Sequence, residues 1–208
     1  NIINGGKHTL GGGSLEFQEY HVVPMVDSIE EALNIGSSIQ KEVGKMFREK
    51  LGLKRVVGLG DEGGFALDVE NEETPLELLS QAAEKLGVSE KVKLAMDVAA
   101  SSFYQDGRYL LDKKEVSSQE LLDMYSTMIE KYPVFSIEDP FYEERFGWFN
   151  KLKEKHAHLL VVGDDLTVTS EKRLQQAIEE KSINAIIIKP NQIGTLSETL
   201  RTMELARS

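Results

Sequence analysis

Three apolar runs in this chain end in an acid: Val92-Lys93-Leu94-Ala95-Met96-Asp97, Val134-Phe135-Ser136-Ile137-Glu138 and Leu159-Leu160-Val161-Val162-Gly163-Asp164. A fourth, Ala185-Ile186-Ile187-Ile188-Lys189, ends in a base. Each run reads as a buried strand followed by a helical segment. Successive strands of a parallel α/β fold end on one face, so three carboxylates and a lysine are expected around one pocket. Three oxygen donors suit a hard divalent cation, Mg2+ above all. A lysine beside such an ion is a candidate general base. Positive charge nearby and partial desolvation would both lower its pKa toward a usable range.

Simpler readings compete with this one. Each acid could cap the helix after its strand, but Asp97 and Glu138 lie well upstream of the next helix, and Asp139-Pro140 breaks the chain after Glu138. Asp139 and Asp165 make doublets with Glu138 and Asp164. One member of each can ligate while the other hydrogen-bonds a neighbouring loop; ligation is assigned to the first because it ends the apolar run. Lys189 could simply extend into solvent. Gly60-Asp61-Glu62-Gly63-Gly64 holds two acids between glycines that permit close backbone approach, yet the same residues make an ordinary turn. Glu19, an acid on an otherwise apolar strand, either faces solvent or is aimed at a site. His8, between Gly6 and Gly11-Gly12-Gly13, taken alone is a mobile loop histidine. His21, His156 and His158 carry no assigned role.

The elements that must position these groups follow from pattern. Residues from about Leu15 to Met25 read as one strand, with Gln18 and Glu19 in its middle and Pro24 at its end. Asp27 or Ser28 caps a helix that has Glu30 and Glu31 in its first turn and runs to Leu51, where Gly52 stops it. No helix fits between the opening Ile2-Ile3-Asn4-Gly5-Gly6 turn and the first long strand, so that strand is expected antiparallel to the first. Thr74-Pro75 opens a second helix that ends at Gly87. A regular rhythm follows: strands at 92–98, 134–138, 159–163 and 184–189, alternating with helices at 117–132, 147–156, 170–181 and from about 195. The steps from Glu138 to Asp164 and from Asp164 to Lys189 are 26 and 25 positions, near the roughly 31 of an average (β/α)8 unit. The expected fold is a single α/β domain over residues 1–208: an incomplete TIM-type barrel with about six of eight strands. The abrupt start at Asn1 and the end at Ser208 inside a helical pattern suggest an excerpt of a longer polypeptide.

Composition narrows the class. The chain has 208 residues and no cysteine, so neither a disulfide framework nor a thiolate metal site is available. A net charge of −11 argues against nucleic-acid partners and anionic membrane surfaces. No apolar run approaches the roughly 20 residues of a membrane-spanning helix, and a soluble cytoplasmic protein is the default.

Taken together, the motifs resemble the enolase family. They are Asn4-Gly5-Gly6-Lys7-His8, Phe17-Gln18-Glu19, Gly60-Asp61-Glu62-Gly63-Gly64-Phe65-Ala66, Met96-Asp97-Val98-Ala99-Ala100-Ser101, Ser136-Ile137-Glu138-Asp139-Pro140-Phe141, Gly163-Asp164-Asp165-Leu166-Thr167-Val168-Thr169, and Lys189 with Asn191-Gln192-Ile193-Gly194-Thr195-Leu196-Ser197-Glu198. They stand in family order and span nearly the whole chain. The resemblance implies a glycolytic and gluconeogenic lyase that reversibly dehydrates 2-phosphoglycerate to phosphoenolpyruvate. Pairing a Lys or His base with one or two Mg2+ ions is an established pattern of that superfamily. By the resemblance, Asp97, Glu138 and Asp164 match magnesium ligands. Lys189 matches the base and also meets substrate. Glu62 matches the general acid, with Glu19 beside it, and His8 and Gln18 match substrate-lining residues. It also implies a small phosphorylated carboxylate as substrate and a full-length protein that is a homo-oligomer.

Some positions depart from the family pattern. Thr9-Leu10-Gly11-Gly12-Gly13 replaces the usual Ala-Gly-Asn after His8, Leu67 stands for a common proline, Ser102 for a common glutamate, and Pro190 for a frequent valine. The family's N-terminal domain, last barrel units, Ser-His-Arg-Ser phosphate loop and second active-site lysine have no counterpart, so the 208 residues are expected to be inactive alone. Two other readings stay open: another enzyme of the superfamily that abstracts a proton next to a carboxylate, such as a racemase or cycloisomerase, and a non-catalytic scaffold or surface-binding protein that keeps the fold.

Overall fold

The computed structural model describes residues 1–9, 12–51 and 56–208. Gly52, expected to stop the first helix, and Leu10 and Gly11 of the loop after His8 lie outside the described residues. Six strands carry the expected rhythm: β1 (Ile3–Asn4), β2 (Glu19–Pro24), β5 (Val92–Asp97), β9 (Val134–Glu138), β10 (Leu160–Gly163) and β11 (Ala185–Ile186). Two more, β3 (Val56–Leu59) and β4 (Phe65–Leu67), form an antiparallel hairpin around the Gly60–Gly64 turn. All eight make one sheet in the order β11-β10-β9-β5-β2-β1-β4-β3, which does not close on itself among the described residues. β2 runs antiparallel to β1, as the missing crossover helix between them requires, and it is antiparallel to β5 as well. The β5–β9, β9–β10 and β10–β11 pairs are parallel. This is an open α/β sheet of the incomplete-barrel kind.

The helices are α1 (Ile29–Leu51), α2 (Thr74–Lys85), α3 (Ser118–Lys131), α4 (Phe146–Lys155), α5 (Glu171–Glu179), the short α6 (Pro190–Ile193) and α7 (Leu196–Arg207). Their starts follow local chemistry. Pro75 sits in the first turn of α2. Ser117 and Glu120 form a capping box at α3, each side chain accepting from the other's backbone N–H. No described helix is long and apolar enough to cross a membrane.

Three expectations need correction. The strand expected from about Leu15 begins only at Glu19, so Glu19 opens the strand and Gln18 precedes it. The backbone N–H groups of Glu16 and Phe17 are drawn out of the ladder by the Glu72 carboxylate (2.8 and 3.4 Å). The strand expected over 184–189 contains only Ala185 and Ile186. Beyond it Ile187 N–H donates to the Gly163 carbonyl (3.1 Å), Lys189 N–H donates to Thr169 Oγ1 (2.8 Å), and Pro190 starts α6. The third is a separate antiparallel meander, β6 (Tyr104–Gln105), β7 (Arg108–Leu111) and β8 (Lys114–Val116), where no element was expected. Asp106-Gly107 and Asp112-Lys113 make its turns with positive φ at all four residues. That is the chemistry of a type I′ hairpin, and Asp-Gly was its signal.

The core beneath the strand ends is aromatic. Phe17 stacks on Phe103 with ring centroids 6.0 Å apart and meets Tyr125 at 5.9 Å; Tyr125 meets Phe141 edge-on at 5.7 Å. All four are buried. Such a floor holds the carboxylate-bearing backbone above it rigidly, because close-packed rings leave little room for displacement.

Candidate metal and acid–base centre

The acids sit where strands end. Asp97 closes β5 and pairs in register with Glu138, which closes β9; Glu138 in turn pairs with Val162 of β10, two residues before Asp164. Lys189 lies just past β11. Because β2 runs the other way, its first residue, Glu19, rather than its last, stands beside Asp97. The β3–β4 turn brings Glu62 to the same mouth. Asn4 makes that turn possible. Its Oδ1 accepts the Gly64 N–H (2.9 Å), and a Cβ at Gly60 or Gly64 would lie 2.5 Å from that oxygen. Glycine is therefore a steric requirement at both positions.

One cavity of about 660 Å3 collects these groups. Lys7, His8, Gln18, Glu19, Glu62, Asp97, Glu138, Asp164 and Lys189 all line it. Lys189 follows β11 and Glu62 lies between β4 and β3, so residues from opposite ends of the sheet order meet across one space. Every residue assigned a role from the sequence is at this cavity.

Two subclusters share it. On one wall the carboxylates crowd together. Burial first, then the charges of Glu138, Asp139 and Glu19, push Asp97 up to about 9 against an opposing hydrogen bond from the Ala99 N–H (3.0 Å). Burial, Asp139 and Asp164 push Glu138 up to about 8. Oxygens of Glu138, Asp139 and Asp164 lie within 4.8 Å of one another; Asp97 is outside that group and is linked to it through its register pairing with Glu138. Asp139 is nevertheless poorly suited to ligation. Its two oxygens accept the backbone N–H groups of Asp164 (3.2 Å), Asp165 (2.6 Å) and Leu166 (3.3 Å). It takes a left-handed backbone (φ 40°) to do so, a strained state for a residue other than glycine. It thus templates the loop that carries Asp164. Asp97, Glu138 and Asp164 remain as a hard-oxygen donor set whose mutual repulsion a divalent cation would neutralise, so these residues fit the divalent metal that the fold family implies.

Lys189 departs from expectation. Desolvation, its largest single influence, lowers its pKa, but the hydrogen bond and charge of Asp164 outweigh it, and the net direction is upward. The expected lowering supposed a cation among the carboxylates; their bare charges act the other way. Lys189 Nζ donates to Asp164 Oδ2, and Gln192 Nε2 donates to Asp164 Oδ1 (2.7 Å). Gln192 had no role assigned from the sequence. It stands three residues after the lysine, inside one of the family-like motifs, and the short α6 turns it back toward the acid.

On the other wall His8, Glu19 and Glu62 present a nitrogen and two carboxylate oxygens within 4.8 Å of one another. His8 Nδ1 is 3.1 Å from Asp61, 3.7 Å from Glu62 and 3.9 Å from Glu19. Glu19 is held below the ordinary carboxylate range. Its burial raises it, but hydrogen bonds from His21 and with Glu62, and the charges of His21 and His8, prevail. His21, given no role from the sequence, is 2.6 Å from Glu19.

An open α/β sheet of the incomplete-barrel kind, with carboxylates at its strand ends, a lysine just past β11 and β2 reversed, is thus the class of protein that the fold and site define. The chain belongs to the enolase C-terminal TIM barrel domain family, whose model matches residues 1–208. It is 44% identical over 207 residues to the enolase of Methanocaldococcus jannaschii and 43% identical over 208 residues to the enolase of Elusimicrobium minutum. Each match covers 99% of this chain and 48% of the relative, so the chain spans about half the length of those curated proteins.

Proposed function

We propose that this barrel, within a longer polypeptide, carries the reversible dehydration of 2-phosphoglycerate to phosphoenolpyruvate, with Mg2+ as the cation. The observation that carries the reading is the single cavity with a lysine among carboxylates on one wall and a second carboxyl pair, Glu62 and Glu19, on the other. Proton removal next to a carboxylate adds negative charge to an anion. Mg2+ held by Asp97, Glu138 and Asp164 would supply the positive charge that offsets it. The Lys189 amine takes the C2 proton. The electron pair left on C2 forms the C2–C3 double bond, the C3–O bond breaks, and Glu62 supplies the proton that lets hydroxide leave as water. Glu19 stands beside Glu62, and His8 and Gln18 line the substrate space. A base and an acid on facing walls suit an elimination, in which two bonds of the substrate are worked from two sides.

The test is turnover of 2-phosphoglycerate by the full-length polypeptide with Mg2+, followed by the ultraviolet absorbance of phosphoenolpyruvate. Turnover lost in Lys189→Ala supports the reading; an inactive full-length wild type refutes it. The 208-residue chain assayed alone is expected to turn over far more slowly.

A further inference from the structure

We propose that His21 is a positioning residue that fixes the Glu19 carboxylate for the acid-side chemistry, an inference that rests on the functional reading above. Glu19 and His21 are two apart on β2, so both side chains project to the cavity face. His21 stands opposite Ala95 of β5, whose small side chain leaves room for the imidazole. Nε2 and Glu19 Oε2 are 2.6 Å apart. An ionised carboxylate only accepts, so Nε2 carries the hydrogen and donates it. This occupies Oε2 and leaves Oε1 on the side of His8, whose Nδ1 is 3.9 Å away; Glu62 belongs to the same cluster.

The strand itself is pinned so that this contact has a fixed geometry. Tyr20, between the two residues, points the other way and is fully buried. Its hydroxyl is 2.6 Å from the Glu72 carboxylate, which also accepts the N–H of Glu16 and Phe17. Rotation of β2 about its axis would break those bonds. The orientation of Glu19 therefore comes down to its own side-chain torsions, and those are what His21 restrains. The side chain of Glu19 is 13% exposed and that of His21 is 26% exposed, so a freed carboxylate has open cavity to swing into.

The experiment uses the full-length polypeptide with His21→Leu, which has no donor, and His21→Gln, whose amide can donate to Glu19. With saturating Mg2+, His21→Leu is expected to lose about tenfold or more in kcat, because a displaced catalytic group costs rate rather than substrate affinity. KM should stay within about twofold, and His21→Gln should recover most of the rate. Should His21→Leu fail to fold, His21→Met, flexible and without a donor, takes its place. Unchanged kcat in the donorless variant, or a His21→Gln no better than it, overturns the inference while the functional reading stands. If wild type does not turn over 2-phosphoglycerate, the functional reading falls, and the contact is then judged by nitrogen NMR of the imidazole. A hydrogen-bonded Nε2–H signal that disappears in Glu19→Leu supports the positioning role. An imidazole signal indifferent to that change overturns it.

Discussion

Binding of a divalent cation at Asp97, Glu138 and Asp164 is expected to expel protons. Without a cation, burial and mutual charge hold Asp97 at about 9 and Glu138 at about 8. Both are then largely protonated at neutral pH, whereas ligation requires the ionised forms. At pH 7 close to two protons should leave per cation bound, falling to less than one by about pH 9. The sign follows: protons and cation compete, so affinity rises with pH and levels off once both groups are ionised. Below about pH 8 it should climb by more than tenfold per pH unit. Calorimetric titration of the full-length polypeptide with Mg2+, in two buffers of different ionisation enthalpy, counts the protons directly. Asp97→Asn should release about one fewer and bind more weakly. Binding near pH 7 with no proton release, or an affinity flat from about pH 6 to 8, would show that the acids were already ionised and would refute the electrostatic account of this wall.

Burial also pushes Glu72 up to about 7 from its ordinary 4.5. Its contribution to stability is therefore fully present below pH about 4.5 and lost as pH rises to about 7, by about 3 kcal/mol; urea titrations of wild type and Glu72→Gln at both ends of that window should diverge by this amount, and parallel curves would refute it. Gly64→Ala sets a Cβ 2.5 Å from Asn4 Oδ1 and should cost about 1–3 kcal/mol by overpacking, read as a lowered Tm; an unchanged Tm would mean that Asn4 moves aside freely. Asp139→Asn leaves a single acceptor oxygen against three backbone N–H groups and should cost about 1–3 kcal/mol while weakening Mg2+ binding; an unaltered calorimetric Kd would separate the loop from the site.

The sequence makes the strand-end pattern legible because burial and chemistry leave different marks. An unbroken apolar run identifies a strand covered on both faces, and a charged residue at its end is anomalous enough to notice. Asp97, Glu138, Asp164 and Lys189 were readable on that ground. His21 was not, because a histidine within an alternating strand leaves no mark of what it faces. That depended on the reversed direction of β2 and on the small Ala95 opposite. Gln192 depends likewise on a turn through Pro190. β2 starts later than its alternating pattern suggests because Glu72, more than fifty residues away, captures the N–H groups of Glu16 and Phe17. No local pattern carries a contact of that range. The β6–β8 meander is a different case, since its Asp106-Gly107 turn is a local hairpin signal.

The hold of Asp139 on the 164–166 backbone has a consequence for anyone recombining barrels of this kind. A carboxylate borne on one βα unit moulds the loop of the next, so the repeats are not interchangeable blocks. A chimera with its crossover between residues 139 and 164 would splice a loop to a foreign template and should lose its shape even if both parents fold well. Crossovers that carry both segments from one parent keep donor and mould together, and library design for this scaffold should treat the pair as one inherited cassette.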